Sequence, residues 1–89
     1  MIKQTIKIQN KLGLHARAAS KFVEVAKQFQ SAISVTSPFS TANGKSIMNV
    51  MMLQASCNSE ITIEIDGEDA EPAMTAIVDL INSKFDEAE

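Results

Sequence analysis

The sequence ITIEID at residues 61–66 alternates isoleucine with polar side chains. Because successive side chains of a strand point to opposite faces, this pattern predicts a strand with one apolar and one polar face. The same alternation returns in residues 2–8 and 33–35, and a weaker strand is predicted from Ser40 to Asn43. Strands that are apolar on one side only are typical of an antiparallel sheet covered on one face.

Helical spacing separates these strands. The segment from Ala16 to Phe29 has apolar residues three and four positions apart, which predicts a helix that buries one face. A second such segment runs from Ala70 to about Lys84, with acidic residues in its first turn and a lysine at its end, as the helix dipole prefers. The predicted core positions are Ala19, Phe22, Val23, Ala26 and Phe29 in the first helix and Ala73, Ile77, Leu80 and Ile81 in the second.

A third, short helix is predicted over residues 47–53, where six of seven side chains are apolar. A short helix on a small domain can turn only one face to the core, so Val50 and Leu53 are expected inside and the rest outside. The side chains expected outside, here called the apolar patch, are Ile47, Met48 and Met51. Exposed methionines are common on docking surfaces, although a neighbouring loop could also cover them.

The elements therefore follow the order β-α-β-β-α-β-α. This order predicts the α+β class: an open-faced β-sandwich whose four-stranded antiparallel sheet is covered on one face by three helices. The 89 residues are enough for one domain, 1–89, with a two-layer core.

Composition excludes several classes of protein. The chain is 45% apolar and 21% charged, which is typical of a globular protein rather than a disordered one. With one cysteine, Cys57, and one histidine, His15, neither an internal disulfide nor a structural metal site is expected, and no cofactor is implied. No segment has the length and apolarity for membrane insertion. These features predict a cytoplasmic protein.

The charges are divided unevenly along the chain. Residues 1–45 carry a net charge of +6 and residues 46–89 carry −9, which gives −3 overall. A cationic first half suits a site that meets an anion or an acidic protein surface, unless the two halves simply neutralise each other in the fold. The overall pI of about 5.0 argues against nucleic acid as the main partner.

His15 lies where the first helix should begin. The backbone N–H groups at a helix start lack partners and the helix dipole is positive there, so the amides of Ala16 and Arg17 could hold an anion attached to the imidazole. The guanidinium of Arg17 adds a planar donor for phosphate oxygens. Position alone favours a half-exposed histidine that merely caps the helix, since a lone histidine near a helix start is more often a cap than a nucleophile.

Two sequence blocks carry a resemblance to a known family: residues 13–19, GLHARAA, and residues 44–48, GKSIM. The first is similar to the phosphohistidine signature, and the second to the regulatory serine site, of the HPr family, the phosphocarriers of the bacterial phosphoenolpyruvate-dependent phosphotransferase system. The resemblance covers the whole chain. It implies that His15 is phosphorylated on Nδ1 by phospho-enzyme I and passes the group to a histidine of a IIA-type protein, with Arg17 steadying the phosphate.

Some positions depart from the family pattern. Ala18 stands where the family usually has proline, and alanine keeps the helix but presets its first turn less firmly. The tail at residues 80–87 resembles the nitrogen-branch carrier NPr, whereas residues 44–48 resemble kinase-regulated carriers. The resemblance therefore leaves open whether the chain serves sugar uptake or nitrogen regulation.

Ser46 has two compatible roles. It directly precedes the short helix and is a good N-cap residue. The resemblance also implies regulation, in which a kinase of the HPr kinase/phosphorylase type adds a phosphate beside the apolar patch and repels acidic partners. Lys27 and Lys45 are expected to help steer such partners. A monomer is expected, because a shuttle must present one face to two enzymes.

Other functions fit the sequence less well than a phosphocarrier does. A regulatory module of the same fold, acting through Ser46 and the apolar patch without phosphotransfer, would have no use for His15 and Arg17. An acyl carrier would be all-helical. An RNA-binding sheet needs exposed aromatic residues on its strands, and a metal chaperone needs a second cysteine near Cys57.

Overall fold

The computed structural model describes residues 1–87 and consists of one sheet and three α-helices. The elements are β1 (Ile2–Lys7), α1 (Ala16–Ala26), β2 (Ala32–Thr36), β3 (Thr41–Asn43), α2 (Ile47–Met52), β4 (Glu60–Asp66) and α3 (Ala70–Asn82). The strands lie in the order β1-β4-β2-β3, and every neighbouring pair is antiparallel. The predicted element order and α+β class are confirmed.

Strand β4 lies inside the sheet and determines which face is covered. Its central residue Ile63 pairs with Gln4 of β1 on one side and with Val35 of β2 on the other. The side chains of Ile61, Ile63 and Ile65 are buried, whereas the residues between them are partly exposed. The alternation in ITIEID therefore separates the helix-covered face from the open face, as predicted.

Helix α1 buries the predicted stripe, but it ends earlier than expected. Ala19, Phe22, Val23 and Ala26 are buried, and the helix ends at Ala26. The next two backbone bonds, Gln28 N–H to Val25 O and Phe29 N–H to Ala26 O, span three residues rather than four. The last turn is thus tightened, and Phe29 packs against the core from outside the helix.

Among residues 1–87, no helix is both long and apolar enough to cross a membrane.

Helix α3 also ends before the predicted residue. It stops at Asn82, and Lys84 begins a separate 3₁₀ turn, Lys84–Asp86, in which all three residues have a positive φ. The Ser83 hydroxyl donates to the carbonyl of Leu80 and so satisfies one carbonyl of the last turn. The turn folds the chain back and buries Phe85 completely, a core residue that the helical spacing did not predict.

Helix α2 confirms the predicted division between inside and outside. Val50 and Leu53 are buried, and Met48 is 68% exposed. The rest of the apolar patch, Ile47 and Met51, is exposed as well, so no loop within residues 1–87 covers it. Met52 is 71% exposed and extends the apolar surface by one residue that the sequence reasoning did not single out.

Asp69 ties α3 to the turn that follows α1. Its carboxylate does not cap its own helix; it accepts hydrogen bonds from the backbone N–H of Gln30 at 2.8 Å and of Ser31 at 2.9 Å, and from the Ser31 hydroxyl. The Ser31 hydroxyl and the Gln30 amide outweigh the opposing effect of burial and lower the pKa of Asp69 below its ordinary value. The ionised Asp69 carboxylate therefore stabilises the folded protein at neutral pH, and this stabilisation is lost as the pH falls through the lowered pKa.

We expect Asp69→Asn to lower the melting temperature at pH 7, because an amide offers one acceptor oxygen where the carboxylate offers two. The difference from wild type should narrow as the pH falls below about 4, the ordinary pKa of an aspartate in the unfolded chain, and through the lowered pKa of the folded carboxyl. Thermal unfolding followed by circular dichroism from pH 7 to about pH 2 measures both effects. Glu68→Gln removes the same charge from an exposed neighbour and should change little. A difference independent of pH would contradict the assigned role.

Candidate functional site

The loop before α1 fixes the approach to His15. Gly13 has φ +69°, a left-handed conformation, and its N–H donates to the carbonyl of Asn10 at 3.1 Å. The buried side chain of Asn10 donates from Nδ2 to the carbonyl of Gly13 at 2.7 Å. Leu14 is buried, and its N–H donates to the carbonyl of Ala55 at 2.8 Å. The backbone is thus held on both sides of the turn immediately before His15.

His15 is the N-cap residue of α1. Its backbone is extended, and its Nδ1 accepts a hydrogen bond from the N–H of Arg17 at 3.3 Å. The side chain is 28% exposed, so one edge of the ring is open to solvent. The structure therefore places Nδ1 against the backbone N–H of Arg17 in the first turn of the helix, where an anion is expected to be held.

The other ring nitrogen of His15 contacts a residue that the sequence analysis missed. Nε2 lies within hydrogen-bond distance of the Glu87 carboxylate, whose second oxygen accepts from Asn10 Nδ2 at 2.9 Å. Burial alone would raise the pKa of Glu87, but the hydrogen bonds from Asn10 and His15, with the nearby charges of His15 and Arg17, lower it. Glu87 is therefore ionised at neutral pH.

Few sequence signals could have identified this partner. Glu87 is separated from His15 by 72 residues and follows a turn of positive φ values that no glycine marks. Asn10, three residues before Gly13, does carry a local signal, because asparagine side chains often bond to the backbone of a nearby turn.

The chemistry of the site depends on the surroundings of Nδ1 of His15. Nδ1 faces the backbone N–H of Arg17 at the positive end of α1, an arrangement that favours a negatively charged group on that nitrogen. The exposed guanidinium of Arg17 follows two residues later and can reach toward the same group. The site offers a nucleophilic nitrogen and anion-stabilising donors.

An apolar depression adjoins His15 and connects it to the apolar patch. The residues lining it come from the loop before α1, the start of α1, and the end of α2 with its following loop. They are Leu12, Leu14, His15, Ala16, Met51, Gln54, Ala55 and Ser56. The structure thus brings Met51 to the side of His15, and it adds Leu12, which is 69% exposed, as an apolar residue that the sequence analysis did not name.

Ser46 is the N-cap of α2, as predicted. Its hydroxyl accepts hydrogen bonds from the backbone N–H of Asn49 at 3.3 Å and from the side-chain amide of Asn49 at 3.1 Å. The same asparagine accepts from the N–H of Asn43, so Asn49 joins the start of α2 to the end of β3. Ser46 is partly exposed.

The two lysines expected to steer partners lie apart from His15. Lys27 is exposed at the C-cap of α1, and 1.5 Å per helical residue puts it about 18 Å from His15. Lys45 is partly buried, and its ammonium donates to the carbonyl of Phe29 at 2.7 Å. Lys45 therefore satisfies a backbone carbonyl in the turn after α1.

An open-faced sandwich that presents a histidine at a helix start, beside an exposed apolar surface, has the form of a small phosphoryl carrier. Comparison with known proteins supports this class directly. The family profile "PTS HPr component phosphorylation site" matches residues 2–83. The chain therefore belongs to the HPr family and acts as a phosphoryl carrier of the phosphotransferase system.

The relatives match this chain over nearly all or all of its length. The phosphocarrier protein HPr of Neisseria meningitidis serogroup A is 54% identical over 89 residues, which is 100% of both chains. That of Pseudomonas aeruginosa is 49% identical over 85 residues, or 94% of each chain. The crystal structure of HPr-C-His from Thermoanaerobacter tengcongensis superposes with a TM-score of 0.95 at 45% identity and covers 100% of both chains.

Proposed function

We propose that Nδ1 of His15 accepts a phosphoryl group from phospho-enzyme I and donates it to a histidine of a IIA-type protein. The observation that carries this proposal is the position of Nδ1 at the start of α1, where it accepts from the Arg17 N–H at 3.3 Å. A phosphoryl group on Nδ1 would replace that contact with bonds from its own oxygens to the amides of Ala16 and Arg17.

The transfer needs little covalent help from the carrier. The Nδ1 lone pair forms the new N–P bond while the N–P bond of the donor breaks, and the released electron pair stays on the donor nitrogen. Because phosphoryl transfer depends mainly on positioning and on charge stabilisation, a rigid helix start with oriented donors is sufficient. Arg17 has the planar guanidinium that suits the equatorial phosphate oxygens.

Docking is the second requirement, and the apolar patch supplies a surface for it. Ile47, Met48 and Met51 are exposed, and Met51 also lines the depression beside His15. Because Met51 and His15 line the same depression, contacts on this surface can hold the donor and the acceptor in turn beside His15. Lys27 and Lys45 would act from the periphery, through the field of the cationic first half of the chain.

Incubation with phosphoenolpyruvate, Mg²⁺ and enzyme I of the sugar branch or of the nitrogen branch tests this function. Intact mass should show one added phosphate with one of the two enzymes, and the phosphate should be lost in acid, as expected of phosphohistidine. The productive enzyme identifies the branch. If neither enzyme adds a phosphate, the regulatory-module alternative, which acts through Ser46, would replace the proposal.

We expect Ser46→Asp to raise the KM for phospho-enzyme I about tenfold with little change in kcat. The new negative charge lies beside the apolar patch and repels an acidic partner surface. Aspartate is as good an N-cap as serine, so α2 should persist. Initial rates at varied enzyme I concentrations measure the effect. Thr75→Asp adds the same charge at an exposed position of α3 and serves as the control. An unchanged KM in Ser46→Asp would remove Ser46, and with it a kinase of the HPr kinase/phosphorylase type, from the account.

We further propose that the carrier works as a monomer in the cytoplasm. The docking surface around His15 must be accessible to two partners in turn, and self-association over the apolar patch would cover it. Light scattering at micromolar concentration, before and after phosphorylation, tests the monomer. A dimer whose formation lowers the rate of phosphoryl acceptance would contradict it.

A further inference from the structure

We propose that Glu87 is a positioning residue for phosphotransfer: its carboxylate holds the Nε2–H of His15 and so leaves the lone pair on Nδ1. This inference rests on the proposed function, because it assigns Glu87 a role in preparing the nucleophile described there. The tail of the chain would thus form part of the site.

The tautomer follows from the two partners of the ring. A neutral imidazole carries one N–H, on either nitrogen. The Arg17 N–H points at Nδ1 and can only donate, whereas the Glu87 carboxylate lies at Nε2 and can only accept. Both contacts are satisfied in one tautomer alone, with hydrogen on Nε2 and a lone pair on Nδ1.

Asn10 determines which kind of hydrogen-bonding atom residue 87 must present to it. Its Nδ2 donates both to the carbonyl of Gly13 at 2.7 Å and to the second oxygen of Glu87 at 2.9 Å. Asn10 is fully buried, so exchanging its amide oxygen and nitrogen would place an oxygen against the Gly13 carbonyl. The atom of residue 87 that faces Asn10 must therefore be an acceptor.

The tail is held in place by contacts outside the site. Phe85 is completely buried, and its carbonyl accepts from the ammonium of Lys21 at 2.8 Å. The N–H of Glu87 donates to the carbonyl of Lys84 at 3.0 Å. Two residues beyond its apolar anchor, the Glu87 side chain is only 12% exposed. These contacts direct the carboxylate to the imidazole.

The arrangement also suits the phosphorylated state. When the Nδ1 lone pair forms the N–P bond, the ring keeps its Nε2–H and gains positive charge, so no proton has to move. The Glu87 carboxylate faces that charge and stabilises it. When the phosphoryl group leaves for the acceptor, the electron pair of the N–P bond returns to Nδ1 and restores the starting tautomer.

Glu87→Gln provides a sharp test because the two side chains have nearly the same shape. The glutamine oxygen must accept from Asn10, which turns its NH₂ toward Nε2 of His15. A donor at Nε2 favours the opposite tautomer, with hydrogen on Nδ1. We expect this change to lower the rate of phosphoryl acceptance about tenfold, as loss of a charge-assisted hydrogen bond would.

The measurement is the ¹⁵N chemical shifts of the His15 ring, taken at about pH 9, where an ordinary imidazole is neutral. In the wild type the Nε2–H tautomer should dominate, and in Glu87→Gln the Nδ1–H form should grow at its expense. Rates of phosphate uptake from phospho-enzyme I are measured on the same samples. Asp86→Asn removes the same charge one residue earlier, from an exposed side chain, and should keep both the wild-type tautomer and the wild-type rate.

Failure of this inference is distinct from failure of the proposed function. If the wild type takes up phosphate on His15 and Glu87→Gln shows the same ring shifts and the same rate, Glu87 has no positioning role. If the wild type takes up no phosphate on His15, the proposed function fails whatever the ring shifts show. A change in rate that Asp86→Asn shares would assign the effect to net charge and would also overturn the inference.

Discussion

We expect His15→Ala to abolish phosphoryl acceptance while leaving the fold intact. His15 is the only histidine of the chain, and Nδ1 is the nucleophile in the proposed transfer. The side chain contributes one long cap hydrogen bond, at 3.3 Å, and the contact of Nε2 with the Glu87 carboxylate, so its loss should cost about 1–3 kcal/mol of stability. Intact mass after incubation with phosphoenolpyruvate and enzyme I measures acceptance, and urea unfolding measures stability.

Ser46→Ala is the matched control for this variant, since it also removes an N-cap side chain, that of α2. It should accept phosphate like the wild type. An acid-labile phosphate on His15→Ala would show that another residue receives the group, and the site would have to be sought elsewhere.

Gly13→Ala is expected to have the largest effect on stability, about 2–4 kcal/mol, since the substitution both crowds the loop and strains it. A Cβ at Gly13 would lie 2.4 Å from the carbonyl oxygen of Ala55 and 2.9 Å from Cα of Ser56. The φ of +69° is also unfavourable for alanine. Relief of the clash would break the Leu14 N–H to Ala55 O bond and move His15.

Urea unfolding should therefore show a clearly lower midpoint for Gly13→Ala with an unchanged slope, and the rate of phosphoryl acceptance should fall in the fraction that remains folded. Leu12→Ala, an exposed change in the same loop, should leave the unfolding midpoint near that of the wild type. An unchanged midpoint in Gly13→Ala would mean that the loop adapts freely and does not fix His15.

The parts of the fold that were predicted from sequence are those with local periodic signals. The alternation of Ile61, Ile63 and Ile65 and the spacing of Phe22 and Val23 depend only on strand and helix geometry. The division of α2 into a buried and an exposed side likewise follows from its excess of apolar residues. The expected place of His15 at the start of α1 is confirmed, whereas its chemical role stays a proposal.

The parts that were missed depend on contacts between distant segments. Phe85 is buried by a turn in which three consecutive residues have a positive φ. None of the three is a glycine or an asparagine, so the sequence does not predict this turn. Glu87 meets His15 and Asn10 only because that turn folds the tail back onto the loop before α1. Asp69 lies among the acidic residues that predict the start of α3, yet its carboxylate accepts hydrogen bonds from the backbone N–H groups of Gln30 and Ser31. Side-chain periodicity carries no information about such pairings.

The central claim is that Nδ1 of His15 receives the phosphoryl group. Heteronuclear NMR of the ¹⁵N-labelled protein, phosphorylated with phosphoenolpyruvate and enzyme I, tests this claim most directly. We predict one ³¹P signal coupled to Nδ1 of His15, with the proton retained on Nε2. Phosphorus coupled to Nε2, or a phosphate on any other residue, would contradict the account.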